Sequence, residues 1–331
     1  MPSSARPIAT IDVGTNTTLL LVARAQPQLR APGASEPEVL EEAAEITRLG
    51  RGIGGDGRLG REGIDRTLAA LSHYADRARH HGAEVAAIGT EALRRAPNAQ
   101  DFLAPARDIL GVPIEVIAGD REAALTFRAT AESFPAEVRG GRVAVIDIGG
   151  GSTEIVVADR GVVAFRASLP LGSVRLHERH VRDDPPSARD ALAIDGEVNA
   201  ALAGAAAAFA GGPLDLLVGV AGTVTSLAAM VLGLASYDAT RVHGFDLSIA
   251  DLDAQIARLR TATQSERERI VGLDPRRADV IFAGALLLRG IARRAGRDGI
   301  RVSDRGIRWG LYHERAAGSL PLSPADGILR T

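Results

Sequence analysis

The sequence predicts an α/β protein in which one lobe architecture occurs twice. Three observations predict this fold class. Short β-branched and apolar runs of strand length alternate with longer segments of helical periodicity. An apolar run that leads through Asp into a Gly-containing turn occurs at residues 11–18 and again at residues 146–154. A second strand and then alternating helices and strands follow each turn, and this recurrence indicates an internal duplication.

The first half of the chain begins with two strands that flank the turn at Gly14. Both strands, Pro7–Val13 and Thr17–Arg24, are rich in β-branched and aliphatic residues. Val39–Thr47 suits a third strand, although its Glu and Ala residues also suit a helix. Periodicity and composition then predict, in order, a helix at Arg61–His81, a strand at Glu84–Ile88, a helix at Ala99–Leu110, a strand at Pro113–Ile117 and a helix at Arg121–Ser133 with Asp120 as its N-cap.

The second half restarts the pattern after Phe134–Gly141, a segment with one Pro and two Gly that is the predicted linker. The predicted strands are Arg142–Ile146, Thr153–Asp159, Val162–Ser168, Leu214–Val220 and Ile300–Ser303, and the predicted helices are Ala188–Phe209, Val224–Leu232, Ile249–Ala262, Arg277–Arg294 and Ile307–Ala317. The predicted lobes are therefore residues 1–133 and 134–331, which close on a cleft. The last helix, at about residues 307–318, could pack back on the first lobe.

The composition of this 331-residue chain excludes several kinds of catalytic residue. It has no Cys and no Lys, and all 39 basic residues are Arg. A thiolate nucleophile, a Walker A lysine and a Schiff-base lysine are thereby excluded, whereas Arg still binds phosphate in bidentate fashion. A net charge of −2 provides no overall attraction for nucleic acid. No apolar run suits a signal peptide or a membrane span, so we expect a cytoplasmic protein.

The two turns have the composition of phosphate-binding loops. Asp12 and Asp147 occupy matching positions, 135 residues apart, and each is followed by a Gly-containing turn. Glycines allow a close approach of the backbone to a ligand, and successive N–H groups in such a turn bind anions. An Asp does not attract phosphate itself, but it can hold a divalent cation that does. A lone Asp is often only a turn former, and its recurrence in the same context favours a site.

Other residues have simpler alternatives. Glu122 starts a helix, where a carboxylate is favoured by the macrodipole; it could instead orient and deprotonate a water molecule. His177 and His180 have a metal-like spacing, but no third ligand is evident, which favours a solvated helix face. Residues 258–297 contain ten Arg, which suit either the solvated faces of two helices or a surface for a polyanion.

Eight segments, in this order, resemble the exopolyphosphatase/guanosine pentaphosphate phosphatase family over about residues 7–315. They are DVGTNT (12–17), TRLGRG (47–52), GTEALRRAPN (89–98), GDREA (119–123), DIGGGSTE (147–154), SLPLG (168–172), GT (222–223) and GIRWGL (306–311). The resemblance implies the duplicated lobes of the actin, ribonuclease H, sugar kinase and heat-shock ATPase superfamily. It also implies hydrolysis of the terminal phosphoanhydride of inorganic polyphosphate or pppGpp with Mg²⁺, or with Mn²⁺ as an alternative.

The resemblance further implies roles for individual residues. Glu122 would position and deprotonate the attacking water, with Glu154 beside it and Arg94 on the terminal phosphate. Asp12, Asp147 and Glu154 would serve the metal. The phosphate-binding residues would be Gly14, Thr15, Asn16, Gly149, Gly150, Gly151, Ser152, Thr153, Gly222 and Thr223. The family often has Ser-Gly and a second Glu before the catalytic Glu, where this chain has Ala118-Gly119 and Arg121.

The resemblance leaves several alternatives open. The leading interpretation is a short, two-domain exopolyphosphatase of low processivity, because the chain has no room for the helical C-terminal domain of larger family members. A pppGpp 5′-phosphatase, a non-catalytic sensor of polyphosphate or nucleotide, and a sugar-type kinase are the competing interpretations. The expected substrate partner is polyphosphate or pppGpp, without nucleic acid or membrane. The apolar C-terminal helices could form a homodimer interface or simply the core.

Overall fold

Two β-sheets organise the chain in the computed structural model, which describes residues 6–25, 36–53 and 57–318. The elements up to residue 133 are β1 (Ile8–Val13), β2 (Thr18–Arg24), β3 (Glu38–Glu45), α1 (Arg61–His80), β4 (Glu84–Gly89), α2 (Glu91–Arg95), α3 (Gln100–Leu110), β5 (Ile114–Val116) and α4 (Gly119–Ser133). β3 is a strand because it pairs with β2 along its length, which decides the alternative that its composition left open.

The remaining elements begin with a short helix and a second three-stranded meander. They are α5 (Pro135–Gly140), β6 (Arg142–Ile148), β7 (Thr153–Asp159), β8 (Val162–Leu169), α6 (Ser173–His180), α7 (Ala188–Gly204), β9 (Leu216–Val220), α8 (Ala221–Val231), α9 (Ala239–Val242), β10 (Asp246–Ser248), α10 (Ile249–Thr261), α11 (Gln264–Arg267), α12 (Ile281–Arg294), β11 (Gly299–Val302) and α13 (Ile307–Ala316).

The two sheets repeat one topology. The first has the order β3-β2-β1-β4-β5, in which β1, β2 and β3 are antiparallel and β1, β4 and β5 are parallel. The second has the order β10-β11-β9-β6-β7-β8, in which β6, β7 and β8 repeat the meander and β6, β9 and β11 repeat the parallel part. The predicted α/β duplication is therefore confirmed, and the inter-lobe cleft stays a prediction.

The internal contacts divide the chain into two units. The first comprises the described residues up to Leu125 and those from Ile307 onward, and the second runs from Thr126 to Gly306. The division falls within α4, and the sequence-predicted domains, which meet at residues 133 and 134, stay a prediction. Among the described residues, no helix is both long and apolar enough to cross a membrane.

The core of the first unit includes the helix that comes last in the described chain. Ile307 and Leu311 of α13 are buried with Ile88, Ile117 and Leu125. Polar contacts fix the same helix on the sheet: the Thr10 hydroxyl of β1 donates to the Arg308 carbonyl at 2.9 Å. The Trp309 indole and the Arg308 guanidinium both donate to the Glu42 carboxylate of β3. The last helix therefore packs on β1 and β3.

The second unit buries a larger core beneath its sheet. Its most apolar helix, α12, has buried residues along almost its whole length and packs against α6, α7, α8 and α10. The apolar residues of α12 and α13 are thus core residues, which is one of the two alternatives that the sequence left open for the C-terminal helices.

The structure differs from the sequence prediction at several element boundaries. The predicted linker forms the short helix α5, because Pro135 occupies its first turn, where the missing N–H costs nothing. α4 begins at Gly119, so Asp120 lies in the first turn and the predicted N-cap is wrong. The long helix predicted at Ala188–Phe209 ends at Gly204, and a 3-10 turn follows.

Candidate active site

The turn between β1 and β2 is closed by its own backbone. The Gly14 N–H donates to the Thr17 carbonyl at 3.0 Å. A Cβ added to Gly14 would lie 2.9 Å from that same carbonyl oxygen, so the turn requires glycine at this position. Asp12, the last but one residue of β1, is 7% exposed. The turn therefore presents backbone and small side chains next to a buried carboxylate.

The carbonyl groups of this turn are held by the segment that follows β3. Gly50 N–H donates to the Thr15 carbonyl at 2.8 Å, and Arg48 N–H donates to the Asn16 carbonyl at 3.0 Å. A trans peptide directs its N–H opposite to its C=O, so the Asn16 N–H, which shares a peptide with the Thr15 carbonyl, faces away from this segment. The N–H groups of Thr15 and Asn16 make no hydrogen bond within the described part of the chain, and neither does the buried Asn16 Nδ2.

The turn between β6 and β7 repeats this construction 135 residues later. The Gly149 N–H donates to the Ser152 carbonyl at 3.0 Å, which matches the bond that closes the first turn. Here the first residues of α6 hold the carbonyl groups of the three glycines. Ser173 N–H donates to Gly149 at 3.0 Å, Val174 N–H to Gly150 at 3.0 Å and Arg175 Nε to Gly151 at 2.9 Å.

These three contacts organise an anion-binding nest. Because the three carbonyl groups face α6, the N–H groups of Gly150, Gly151 and Ser152 face the opposite side of the turn. No residue in the described part of the chain accepts a hydrogen bond from these N–H groups. Successive N–H groups that converge in this way bind phosphate oxygens. We refer to these three residues as the glycine nest.

Replacing Gly172 by Ala should damage this nest. An added Cβ would lie 2.3 Å from the Gly150 carbonyl oxygen, which forces α6 away from the turn. We expect a loss of about 1–3 kcal/mol in the free energy of unfolding and a raised KM. Gly196→Ala, in open space on α7, is the matched control and should stabilise by about 0.5–1 kcal/mol. Denaturant titration and phosphate-release kinetics measure both effects, and an unchanged KM for Gly172→Ala would contradict the role of α6.

Two buried carboxylates lie side by side next to the glycine nest. Asp147 and Glu154 are direct partners on the antiparallel strands β6 and β7, so their side chains share one face of the sheet. Thr126 Oγ1 donates to Asp147 Oδ2 at 3.1 Å, and Ser168 Oγ donates to Glu154 Oε1 at 2.7 Å. Burial raises the pKa of Asp147 to about 6. Two neighbouring buried carboxylates favour the binding of a cation.

The donor set suits Mg²⁺ better than a metal held by protein ligands alone. Within the described residues no group of three or more His, Cys, Asp or Glu side chains could hold a metal ion. Mg²⁺ usually binds through one or two carboxylates and takes its other ligands from water and substrate phosphates. Asp147 and Glu154 meet that requirement. Asp12, by contrast, is paired with Leu19 on β2, so the first hairpin offers a single carboxylate.

The predicted base and the predicted phosphate-binding arginine contact each other. Arg94 Nη1 of α2 lies 2.5 Å from Glu122 Oε1, in the first turn of α4, and also donates to the Ile117 carbonyl. Glu122 is 2% exposed, and the Arg94 side chain is 30% exposed. Arg94 Nε and Nη2 have no hydrogen-bond partner among the described residues. Arg94 can therefore orient Glu122 with one nitrogen and bind an anion with the others.

The remaining predicted site residues have different surroundings. Gly222 and Thr223 lie in the first turn of α8, immediately after Ala221, whose φ of +69° is rare for a residue other than glycine. A Cβ added to Gly222 would lie 2.3 Å from Arg277 Nη1, so a guanidinium packs on this turn. The Thr153 hydroxyl donates to the Leu171 carbonyl at 2.7 Å. This hydrogen bond gives the Thr153 side chain a structural role.

Two other sequence candidates have internal partners. His180 Nε2 contacts Glu197 on α7, as expected of a structural histidine. Several arginines of the arginine-rich region form ion pairs with Asp: Arg267 with Asp184, Arg276 with Asp274, Arg289 with Asp195 and Arg293 with Asp253. This pairing favours the structural interpretation of the region over the polyanion surface.

Sequence reasoning missed the residues that support the site. Thr126, Ser168 and Arg175 contact the carboxylates or the glycine nest, but none was singled out. Ser168 lies inside the SLPLG segment, and Thr126 follows Glu122 by one helical turn, so both had a local signal. Arg175 had none, because its contact with Gly151 depends on tertiary packing.

Each half of this duplicated α/β fold places a Gly-containing turn next to a buried Asp, an arrangement that suits an enzyme acting on phosphate groups. The profile of the Ppx/GppA phosphatase family matches residues 22–317, and the chain belongs to this family. As a member it is an enzyme, a hydrolase of phosphoanhydride bonds, as its sequence motifs predicted.

Individual relatives support this assignment. The chain is 36% identical to exopolyphosphatase 2 of Mycobacterium tuberculosis over 317 residues, which cover 92% of this chain and 97% of the relative. It is 30% identical to the guanosine-5′-triphosphate,3′-diphosphate pyrophosphatase of Vibrio vulnificus, over 92% of this chain and 58% of the relative. The crystal structure of an exopolyphosphatase from Cytophaga hutchinsonii superposes with a TM-score of 0.86 at 27% identity, over 96% of this chain and 100% of that one.

Proposed function

We propose that the protein is a magnesium-dependent exopolyphosphatase that releases terminal phosphate from inorganic polyphosphate. The observation that carries this choice is the match to a named exopolyphosphatase, which is both the more identical relative and matched along nearly its whole length. The pppGpp pyrophosphatase is less identical, and little more than half of it is matched. The site residues support either substrate, because both end in a phosphoanhydride.

The proposed chemistry is a single in-line displacement. A water molecule attacks the terminal phosphorus while the bond from that phosphorus to the bridging oxygen breaks. Glu122 orients the water and accepts its proton, so the products are orthophosphate and a chain shorter by one phosphate. Arg94 holds the Glu122 carboxylate through Nη1 and directs its other donors to the terminal phosphate. The reaction needs no covalent intermediate, which fits a chain without Cys or Lys.

The rest of the site binds and positions phosphate in this proposal. The glycine nest and the N–H groups of Thr15 and Asn16 donate to phosphate oxygens, and catalysis rests on such preorganised donors. Asp147 and Glu154 would hold the metal ion, and Asp12 would contribute to the same task, as the sequence predicts. When bound, Mg²⁺ neutralises charge on the phosphate oxygens.

Side-by-side phosphate release from polyphosphate and from pppGpp tests the substrate. We expect faster release from polyphosphate, dependent on Mg²⁺ and abolished by a chelator, because the carboxylate pair needs a hard cation. GTP should compete poorly, since an exopolyphosphatase has no need of a guanosine pocket. Faster hydrolysis of pppGpp than of polyphosphate would instead identify the protein as a pppGpp 5′-phosphatase. Tight binding of both substrates without phosphate release would instead favour a sensor.

Other aspects of the sequence-based interpretation stay predictions. They are the cytoplasmic location, the homodimer and the preference for short chains. Polyphosphates of graded length, assayed under single-turnover conditions, address the last of these: distributive release after each cleavage is expected. Processive degradation of polymers of hundreds of units would contradict it.

A further inference from the structure

The helix α4, which carries Glu122, contacts α13 at two points. A Cβ added to Gly310 would lie 2.0 Å from the Leu125 carbonyl oxygen, so the two helix backbones touch at this point. One helical turn away in each helix, the Arg121 guanidinium forms an ion pair with the Glu314 carboxylate.

The Arg121–Glu314 pair is buried. The Arg121 side chain is 13% exposed and the Glu314 side chain 2%. A buried guanidinium at the N-terminal end of a helix is doubly unfavourable, because it loses hydration and faces the positive end of the macrodipole. Glu314 compensates for both effects. The burial of the Arg121 charge therefore depends on Glu314, a residue nearly two hundred positions later in the chain.

Arg121 directly precedes Glu122 in the first turn of α4. Residues 121 and 122 are adjacent, and the N–H groups of both donate to the Ala118 carbonyl in the first turn of α4. Any displacement of Arg121 is therefore transmitted to the backbone of Glu122. The Glu122 carboxylate must meet a water molecule within hydrogen-bond distance, and such geometry is sensitive to shifts of about 1 Å.

We propose that the Arg121–Glu314 ion pair and the Gly310 contact make α13 a positioning element that sets the catalytic geometry of Glu122. Glu314 is thus a positioning residue for hydrolysis, although it touches neither water nor substrate. The inference rests on the proposed function, because it assigns Glu122 as the base. It goes further by locating part of the catalytic apparatus in the last described helix.

Kinetics of Glu314→Gln test the proposal. We expect kcat for phosphate release to fall by about 10–100-fold while KM changes by less than about threefold, since the phosphate-binding groups are untouched. Asp195→Asn is the matched control. It breaks the partly buried Arg289–Asp195 pair between α7 and α12, far from α4 in sequence, and should leave kcat unchanged. A kcat for Glu314→Gln within twofold of the wild type would overturn the proposal.

Charge reversal separates positioning from loss of fold. Arg121→Glu and Glu314→Arg should each lower kcat, and the double variant should recover most of it, because the pair is re-formed in the opposite sense. Glu314→Asp, which keeps the charge and shortens the side chain, serves if Glu314→Gln does not fold and should lower kcat to a lesser extent. A folded double variant with no recovery would overturn the proposal.

Hydrogen exchange provides a readout that does not require activity. Amides in peptides that cover residues 117–125 should exchange faster in Glu314→Gln than in the wild type, and Asp195→Asn should leave them unchanged. If the wild type releases no phosphate from either substrate, the proposed function fails, and the exchange result alone still decides whether α13 holds α4. Unaltered exchange in Glu314→Gln would overturn the positioning role.

Discussion

Replacing Glu122 by Gln should lower kcat for phosphate release by about 10²–10⁴-fold, the usual cost of losing a general base. The amide has nearly the shape of the carboxylate and can still accept a hydrogen bond from Arg94, so the fold and the binding of phosphate should persist. KM should therefore change little. Steady-state kinetics on polyphosphate, with circular dichroism as a check on folding, measure the effect.

Glu132→Gln is the appropriate control for this variant. Glu132 lies on the same helix, α4, and is exposed, so its neutralisation removes the same charge without touching the site. The control should retain full activity. Near-normal turnover by Glu122→Gln would exclude this residue as the base and leave the proton acceptor to be found elsewhere, with Glu154 as the next carboxylate to replace.

Asp147→Asn should stabilise the metal-free protein while it abolishes hydrolysis. Burial raises the pKa of Asp147 to about 6 from an ordinary value of 3.8, so the ionised form is disfavoured in the folded state. Removing that charge should raise the free energy of unfolding at pH 7 by up to about 3 kcal/mol, at 1.36 kcal/mol for each pKa unit. Hydrolysis should fall at least about 100-fold, since the carboxylate is proposed to hold the metal.

The contribution of Asp147 to the free energy of unfolding should change with pH. Between about pH 4 and pH 6 the folded state holds the Asp147 proton more tightly than the unfolded state does. The free energy of unfolding of the wild type in chelator should therefore fall as pH rises through this range, and Asp147→Asn should lack that decrease. Added Mg²⁺ should restore stability to the wild type alone at pH 7. Equal pH profiles for the two proteins would contradict the account.

The sequence alone was sufficient to predict those elements whose signal lies within a few consecutive residues. The hairpin turns at Gly14 and Gly149 were predictable because glycine and Asp follow a β-branched strand, which is a signal contained within about eight residues. β3 was ambiguous for the opposite reason: its Glu and Ala residues favour a helix, and only pairing with β2 makes it a strand. Tertiary context overrides propensity in such segments.

The supporting residues of the site depend on contacts that no local pattern contains. Arg94 and Glu122 were each predicted as site residues, but their mutual ion pair joins positions 28 residues apart. Arg175 holds the peptide of Gly151 across 24 residues, and nothing in its surroundings distinguishes it from other helical arginines. Sequence reasoning thus identified the groups proposed to meet the substrate better than those that hold these groups in place.

The discontinuity of the first unit has a consequence for biosynthesis. Its core includes Ile307 and Leu311, so the apolar residues that these two cover stay exposed until α13 has left the ribosome. At ~5–20 residues per second, translation of the intervening residues 126–306 takes about 9–36 s. During that interval the nascent first unit exposes the apolar surface that α13 covers later, whereas the described residues of the second unit form one continuous segment. The first unit therefore cannot complete its core before α13 has been synthesised, and a chaperone that binds nascent apolar surface has its longest opportunity at this unit.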